Sequence, residues 1–244
     1  MEPTTSTSIG CARLGSDDAG AGGYARAGRC GAGGQGPFYV GISDAPAWYI
    51  AQANTLAELK GWTSFVGLQT QYSLVERTCE RELLPMAEAL DIGVTAWESL
   101  GAGVLTGKYN PTAVQQASTG ARLTRSEWGP QFLSERNLRI AEEVARIAKE
   151  IDRSPSQVAI AWVRQQRRVM IPILGATKVS QIQDNLGCLD FELSKNQLTR
   201  LDEMSRIELG FPHDFLEQGK QYIYGETFPL IDNHRRRSET RAFA

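Results

Sequence analysis

The chain is short of the residues on which several common chemistries depend. It has two histidines, His213 and His234, and neither stands at a spacing from a carboxylate and a nucleophile that suggests a catalytic triad; both read as solvent-exposed tail residues. Its four cysteines, Cys11, Cys30, Cys79 and Cys188, are too far apart for a CxxC pair or a zinc-ligand spacing, so no metal site is expected and the thiols read as reduced and mostly structural. Neither sign of charge is in excess. The formal net charge is -2, with both signs interspersed, which leaves no basic field to hold nucleic acid or an anionic membrane. No apolar run approaches the roughly 20 residues that span a bilayer, and the N-terminus lacks the basic-then-apolar order of a secretory signal. The expectation is a cytoplasmic protein with neither membrane nor nucleic-acid partners.

Large apolar residues are almost missing from residues 1–36, which hold ten of the 24 glycines. Such a stretch cannot repay its ordering entropy. A glycine-rich phosphate loop would need a preceding apolar strand, and none is there. The segment is therefore expected to be disordered or aberrant, its Gly/Ala/Arg/Cys mixture being that of a GC-rich coding region read out of frame. Residues 37–244 are expected to form the folded part.

What is there from Phe38 onward is an alternation of short β-rich runs with helical periods, the pattern of βαβ units and parallel strands. Four units can be counted. The strands are Phe38–Ile42, Ser64–Gln69, Gly93–Trp97 and Val169–Leu174. Helical stretches follow at about 45–60 and 79–90 and, after the Gly175-Ala176-Thr177-Lys178 turn, to about 186, and a loop from about 98 to 134 follows the third strand. A connection that long after a parallel strand points to function. Ile140, Val144, Ile147, Ala148 and Ile151 fall on one helical face. Ser154-Pro155-Ser156-Gln157 reads as a capping box with proline at the first helical position, and Ser194-Lys195-Asn196-Gln197 caps one more helix. From Gly210 the tail reads as irregular.

Four signatures in this order resemble the last four βα units of the aldo-keto reductases, an eight-stranded (β/α) barrel family that uses nicotinamide cofactors. They are Tyr39-Val40-Gly41-Ile42-Ser43, Gly67-Leu68-Gln69-Thr70-Gln71-Tyr72-Ser73-Leu74, the run from Ala96-Trp97-Glu98-Ser99-Leu100 to Gly107-Lys108-Tyr109, and Ile173-Leu174-Gly175-Ala176-Thr177-Lys178 with Gln181 and Asn185. The glycine-rich motif after the fourth strand is close to that of the β subunits of voltage-gated potassium channels, and Gly210-Phe211-Pro212-His213-Asp214-Phe215 is similar to bacterial members. The resemblance covers about residues 38–206. It implies an α/β fold of the (β/α)8 TIM-barrel type, here the last four βα units with a C-terminal helix and tail.

The resemblance also implies a set of cofactor positions at the C-terminal ends of the strands, where barrel active sites form. Ser43 and Gln69 match the groups that hydrogen-bond the nicotinamide carboxamide. Trp97 matches the aromatic that stacks on the ring; the other reading is an ordinary core tryptophan. Glu98, Leu100 and Gly103 match the loop along the pyrophosphate, with Lys108 placed to neutralise phosphate charge. Glu98 stands where serine is more usual, and a carboxylate there repels phosphate. Gly175, Thr177 and Lys178 match a turn that grips a 2′-phosphate at a helix N-terminus, which favours NADP(H); Lys178 also reads as a solvated surface charge. Gln181 and Asn185 share a helical face and match positions at the adenosine end, Gln181 standing where many members have arginine.

The family's catalytic tyrosine, lysine, aspartate and histidine come from the first half of the barrel, and no residue here carries their pattern. The expected function is that of an NADP(H)-dependent oxidoreductase acting on aldehyde, ketone or alcohol groups, truncated and inactive alone, with an N-terminal half or self-association as the expected complement. A non-catalytic NADP(H)-binding module and a non-functional fragment are the other readings.

Overall fold

Short apolar runs bounded by glycine and turn residues pair into the sheet. A computed structural model describes residues 10–13, 39–109, 129–166 and 169–230. In it β1 spans Gly10–Arg13, β2 Val40–Ser43, β3 Phe65–Gln71, β4 Gly93–Trp97 and β5 Met170–Pro172. The strands are all parallel and are neighbours in chain order, the arrangement of consecutive units in part of a (β/α)8 barrel. The expected α/β class holds.

Strand β1 departs from the expectation. Residues 1–36 carry no side-chain signal for a strand, but pairing needs only backbone, and the N–H and C=O groups on the edge of β2 offer a template to any extended segment. Gly10 to Arg13 pair with Val40 to Ser43, so β1 covers that edge of β2. The disorder expected for the rest of 1–36 lies outside the described residues, as do residues 110–128 of the long loop and residues 231–244 of the tail.

Register explains which sheet face is covered. Ile42, Leu68, Val94 and Met170 are aligned across four strands and all are buried; with Thr70 and Ala96 they face the helices. The opposite face, which in a closed barrel would be the inner one, carries Ser43, Gln69, Thr95 and Ile171 in one aligned row and Gln71 and Trp97 in the next. Gly41, Gly67 and Gly93 are also aligned and form a row without side chains below them. On this face Val169, Ile171 and Ile173 of the β5 segment are 69 %, 53 % and 40 % exposed.

The helices follow their local signals. Helix α1, Ala47–Lys60, stops at Gly61, whose left-handed φ of 65° returns its N–H to the last carbonyls. A 3-10 turn at Thr78–Glu80 leads to α2, Leu83–Ala89. After the short α3, Gly129–Phe132, comes α4, Glu135–Glu150, with Ile140, Val144, Ile147 and Ala148 buried as the stripe requires. Helix α5, Pro155–Arg164, starts on the expected capping box, Ser154 and Gln157 each bonding the other's backbone. Helices α6, Val179–Leu186, and α7, Lys195–Ser205, complete the layer; Ser194 and Gln197 cap α7 reciprocally. Among the described residues no helix is long and apolar enough to cross a membrane.

Residues 1–205 and 206–244 form separate compact units. Within the second, His213–Tyr224 is a helix, α8, followed by a 3-10 segment at Gly225–Leu230, which corrects the reading of the tail as irregular. The reason lies in a local stop that serves as a start: Asp214 accepts the Gly210 N–H at 2.8 Å, and Leu216 N–H bonds the Pro212 carbonyl. Phe215, Leu216, Tyr222 and Ile223 of this helix are 61 %, 51 %, 96 % and 52 % exposed, so no buried stripe among the described residues marks it in the sequence.

Candidate functional site

Strand ends bring the predicted residues together. Ser43, Gln69 and Trp97 sit at or next to the C-terminal ends of β2, β3 and β4 on the inner face, and Ser43 Oγ lies 3.4 Å from Gln69 Oε1, so the hydroxyl donates to the amide carbonyl. Ser43 is buried while Gln69 and Trp97 are half-buried, which leaves the amide and the indole partly open on the uncovered face. Thr95 lies between Gln69 and Ile171 in the same row. Its hydroxyl donates to the Leu68 carbonyl at 3.4 Å.

The segment after β4 is built from left-handed residues. Glu98, Gly101, Ala102, Gly103 and Gly107 have φ of 58°, 55°, 54°, 102° and 77°, and two of these five, Glu98 and Ala102, are not glycine, a placement that costs about 1–2 kcal/mol per residue. Such strain collects at functional loops. Leu100 packs on the core, and Ser99 is buried, its hydroxyl bonded to the Ala96 carbonyl at 3.1 Å. Among the described residues, a Cβ at Gly103 would meet nothing within 4 Å, and the same holds at Gly175. Backbone at these two positions is therefore open to a ligand, as close approach of a pyrophosphate requires. Lys108 is exposed.

Gln71 was not among the expected site residues. Its side-chain amide donates to Glu98 Oε2 at 2.5 Å, so the carboxylate expected to repel phosphate is tied to the neighbouring strand. The signal was available, because Gln71 lies two residues beyond Gln69 and so points to the same face.

The turn after β5 is satisfied from within. Gln181 Oε1 accepts from Thr177 N–H at 2.9 Å, Thr177 Oγ1 at 3.1 Å and Lys178 N–H at 3.2 Å. Two of the backbone donors expected to face an anion therefore bond the protein's own side chain, and an anion there would displace Gln181. Gly175, Thr177 and Lys178 are exposed, whereas Asn185 on the same face of α6 as Gln181 is buried. Among the described residues, no group of three or more His, Cys, Asp and Glu side chains is placed to hold a metal ion. Cys79 and Cys188 are buried thiols, and burial pushes the Cys188 thiol up.

The model of the aldo/keto reductase family matches residues 38–206. Among curated proteins, a probable aryl-alcohol dehydrogenase of Saccharomyces cerevisiae is 28 % identical over 180 residues, 73 % of this chain and 54 % of that protein. Norsolorinic acid reductase A of Aspergillus parasiticus is 29 % identical over 179 residues, 73 % of this chain and 43 % of that one. An aryl-alcohol dehydrogenase of Phanerodontia chrysosporium, whose name specifies NADP(+), is 29 % identical over 186 residues, 76 % and 48 % of the two chains. The chain spans about half the length of these relatives.

Proposed function

The chain belongs to the aldo/keto reductase family, and from that premise we propose that it carries the NADP(H)-binding half of an oxidoreductase acting on aldehyde, ketone or alcohol groups. The observation that carries this reading is the placement of Ser43, Gln69 and Trp97 on one sheet face at the strand ends, in two successive rows, with open space at the Cβ positions of Gly103 and Gly175 among the described residues. Ser43 and Gln69 orient a carboxamide, Trp97 lies against a flat ring, and Leu100 and Gly103 form the floor for a pyrophosphate. Lys108 supplies positive charge along it. Thr177 and Lys178, with Gln181 and Asn185, hold the adenosine end. When bound, a nicotinamide cofactor supplies or accepts the hydride that interconverts carbonyl and alcohol.

No residue of the chain is assigned a catalytic role, and the chain alone is expected to bind cofactor without turning over substrate. The exposed Val169, Ile171 and Ile173 support a complement on the inner face, either an N-terminal half or a second copy. Such a product is expected in the cytoplasm. Aromatic aldehydes and alcohols are the first substrates to offer, because two of the relatives named above are aryl-alcohol dehydrogenases.

Titration of the chain with NADPH, followed by quenching of tryptophan fluorescence, tests the reading. Saturable quenching that Trp97→Ala abolishes and Lys178→Ala weakens is the expected result. A folded sample without quenching would overturn it and leave a remnant that binds no cofactor.

A further inference from the structure

On the helix-covered side of the sheet, behind the loop that carries Leu100 and Gly103, lies a cluster of charged and aromatic groups drawn from distant parts of the chain. Arg77 is its centre. Its Nε and Nη2 donate to the two Glu80 carboxylate oxygens at 2.7 and 3.1 Å, and Nη1 donates to Asp202 Oδ1 at 3.1 Å and Ser205 Oγ at 2.6 Å. The guanidinium also lies 5.1 Å from the ring centre of Trp162. Tyr72 OH donates to Glu80 Oε1 at 2.7 Å, and Trp162 Nε1 to Asp202 Oδ1 at 3.1 Å.

The turn after β3 is tied to the same Ser205 through a second arginine. Ser73 and Glu76 bond each other's backbones, and Val75 between them has its carbonyl held by Arg136 at 3.3 Å, while the same guanidinium bonds the Ser205 carbonyl at 2.6 Å. Val75 in turn presses on the next loop: a Cβ at Gly101 would lie 2.6 Å from Val75 Cγ2. Gly101 is the first glycine of the left-handed series that ends at Gly107. A path of hydrogen-bonded and packed groups thus runs from Arg77 to Ser205 of α7, which Arg136 also bonds, and from Arg136 through Val75 to the Gly101 turn.

A partly buried ionic cluster adds little net stability compared with apolar packing of the same volume, but it favours one geometry. We infer that Arg77 is a positioning residue, which holds the Gly101–Thr106 loop in the conformation that a dinucleotide's pyrophosphate needs. The inference rests on the cofactor reading above for its ligand, though not for its mechanical part.

Amide hydrogen exchange and ligand titration on the full chain test both parts. Arg77→Met should speed exchange in the Gly101–Thr106 amides about tenfold, the equivalent of one lost charge-assisted hydrogen bond, while the Ile140–Ala148 amides of α4 keep their protection. Arg77→Lys should restore part of it. NADPH affinity should fall about tenfold in parallel, whereas adenosine 2′-monophosphate, which reaches only the Thr177–Asn185 end, should bind as before. Should Arg77→Met not fold, Val75→Ala decides, since it removes the contact with Gly101 and leaves the ionic cluster whole; it should loosen the same amides by a smaller factor. Unchanged loop protection in the folded variants, or loosening shared equally with α4, would overturn the inference. Absence of NADPH binding in the unaltered chain would sink the cofactor reading alone, and the exchange result would still decide the role of Arg77.

Discussion

The Gln71 side-chain amide reaches across from the end of β3 to Glu98, the residue that follows β4, at 2.5 Å. Glu98 adopts a left-handed φ of 58° and brings a carboxylate to the loop proposed to lie under a pyrophosphate. Two like charges about 6 Å apart repel by roughly 3 kcal/mol at an effective dielectric of about 20, and solvent screening of a half-exposed group leaves a fraction of that. Glu98→Ser is therefore expected to tighten NADPH binding about tenfold. A fluorescence titration at low and high salt checks it, and the gain should shrink as salt rises.

Gln181 caps the turn that is proposed to meet the 2′-phosphate. Replacing it with arginine exchanges a neutral competitor for a cation that can bond phosphate in two places. Gln181→Arg should shift the ratio of NADH to NADPH dissociation constants about tenfold toward NADPH, with about 1 kcal/mol of helix capping lost. An unchanged ratio would show that this turn is not where the two cofactors are told apart.

Gly101→Ala is expected to be among the most damaging methyl additions in the chain. The new Cβ would lie 2.6 Å from Val75 Cγ2 in a residue whose φ is 55°. Left-handed strain and overpacking together cost about 2–4 kcal/mol. Urea unfolding should show a lower midpoint with the same slope, and Val75→Ala in the same chain should recover the steric part but not the backbone part.

Burial pushes the Tyr72 phenol well above its ordinary value of 10.0, and the Glu80 carboxylate beside it pushes the same way. In the unfolded chain the phenol loses its proton near pH 10, while in the fold it keeps it. Its contribution is thus complete below about pH 10 and falls by about 1.4 kcal/mol per pH unit above. Stability measured between about pH 9.5 and 11 should decline less steeply for Tyr72→Phe than for the unaltered chain. Equal slopes would mean that Tyr72 ionises freely in the fold.

Much of the fold was legible because its signals are local. Strand β4 was read to its exact bounds from a β-branched run opened by Gly93, and the Ser154–Gln157 capping box was read before the helix it starts. Where local signals fade, the reading slipped. Strand β5 is shorter than the apolar run Val169–Leu174: its register with β4 runs from Met170 to Pro172, with one further bond from the Ile173 N–H to the Ala96 carbonyl. Helix α8 hid behind Gly210 and Pro212, and its apolar residues lie largely exposed, so the buried-face period that marked α4 is lacking. The site divides in the same way. Ser43, Gln69 and Trp97 lie at strand ends that periodicity can place, but the pairing of Arg77 with Asp202 joins residues 125 apart, and no spacing rule connects them. Gln181, three residues after Lys178, stands at the position of a reciprocal cap, and its carbonyl bonds the turn rather than being left free for a ligand.

The aligned glycines Gly41, Gly67 and Gly93 have a consequence for anything that covers the sheet. Where a barrel interior is filled, each level needs a set amount of side-chain volume, and at this level three adjacent strands contribute none. A Cβ on Gly67 would sit 3.9 Å from the Gly41 Cα, so small residues could be accommodated there, but none is present. The lining is lopsided. A complementary surface that matches it must bring its bulkiest side chains to that height and its smaller ones opposite Trp97, a size code that could be used to sort candidate partners before any is tried.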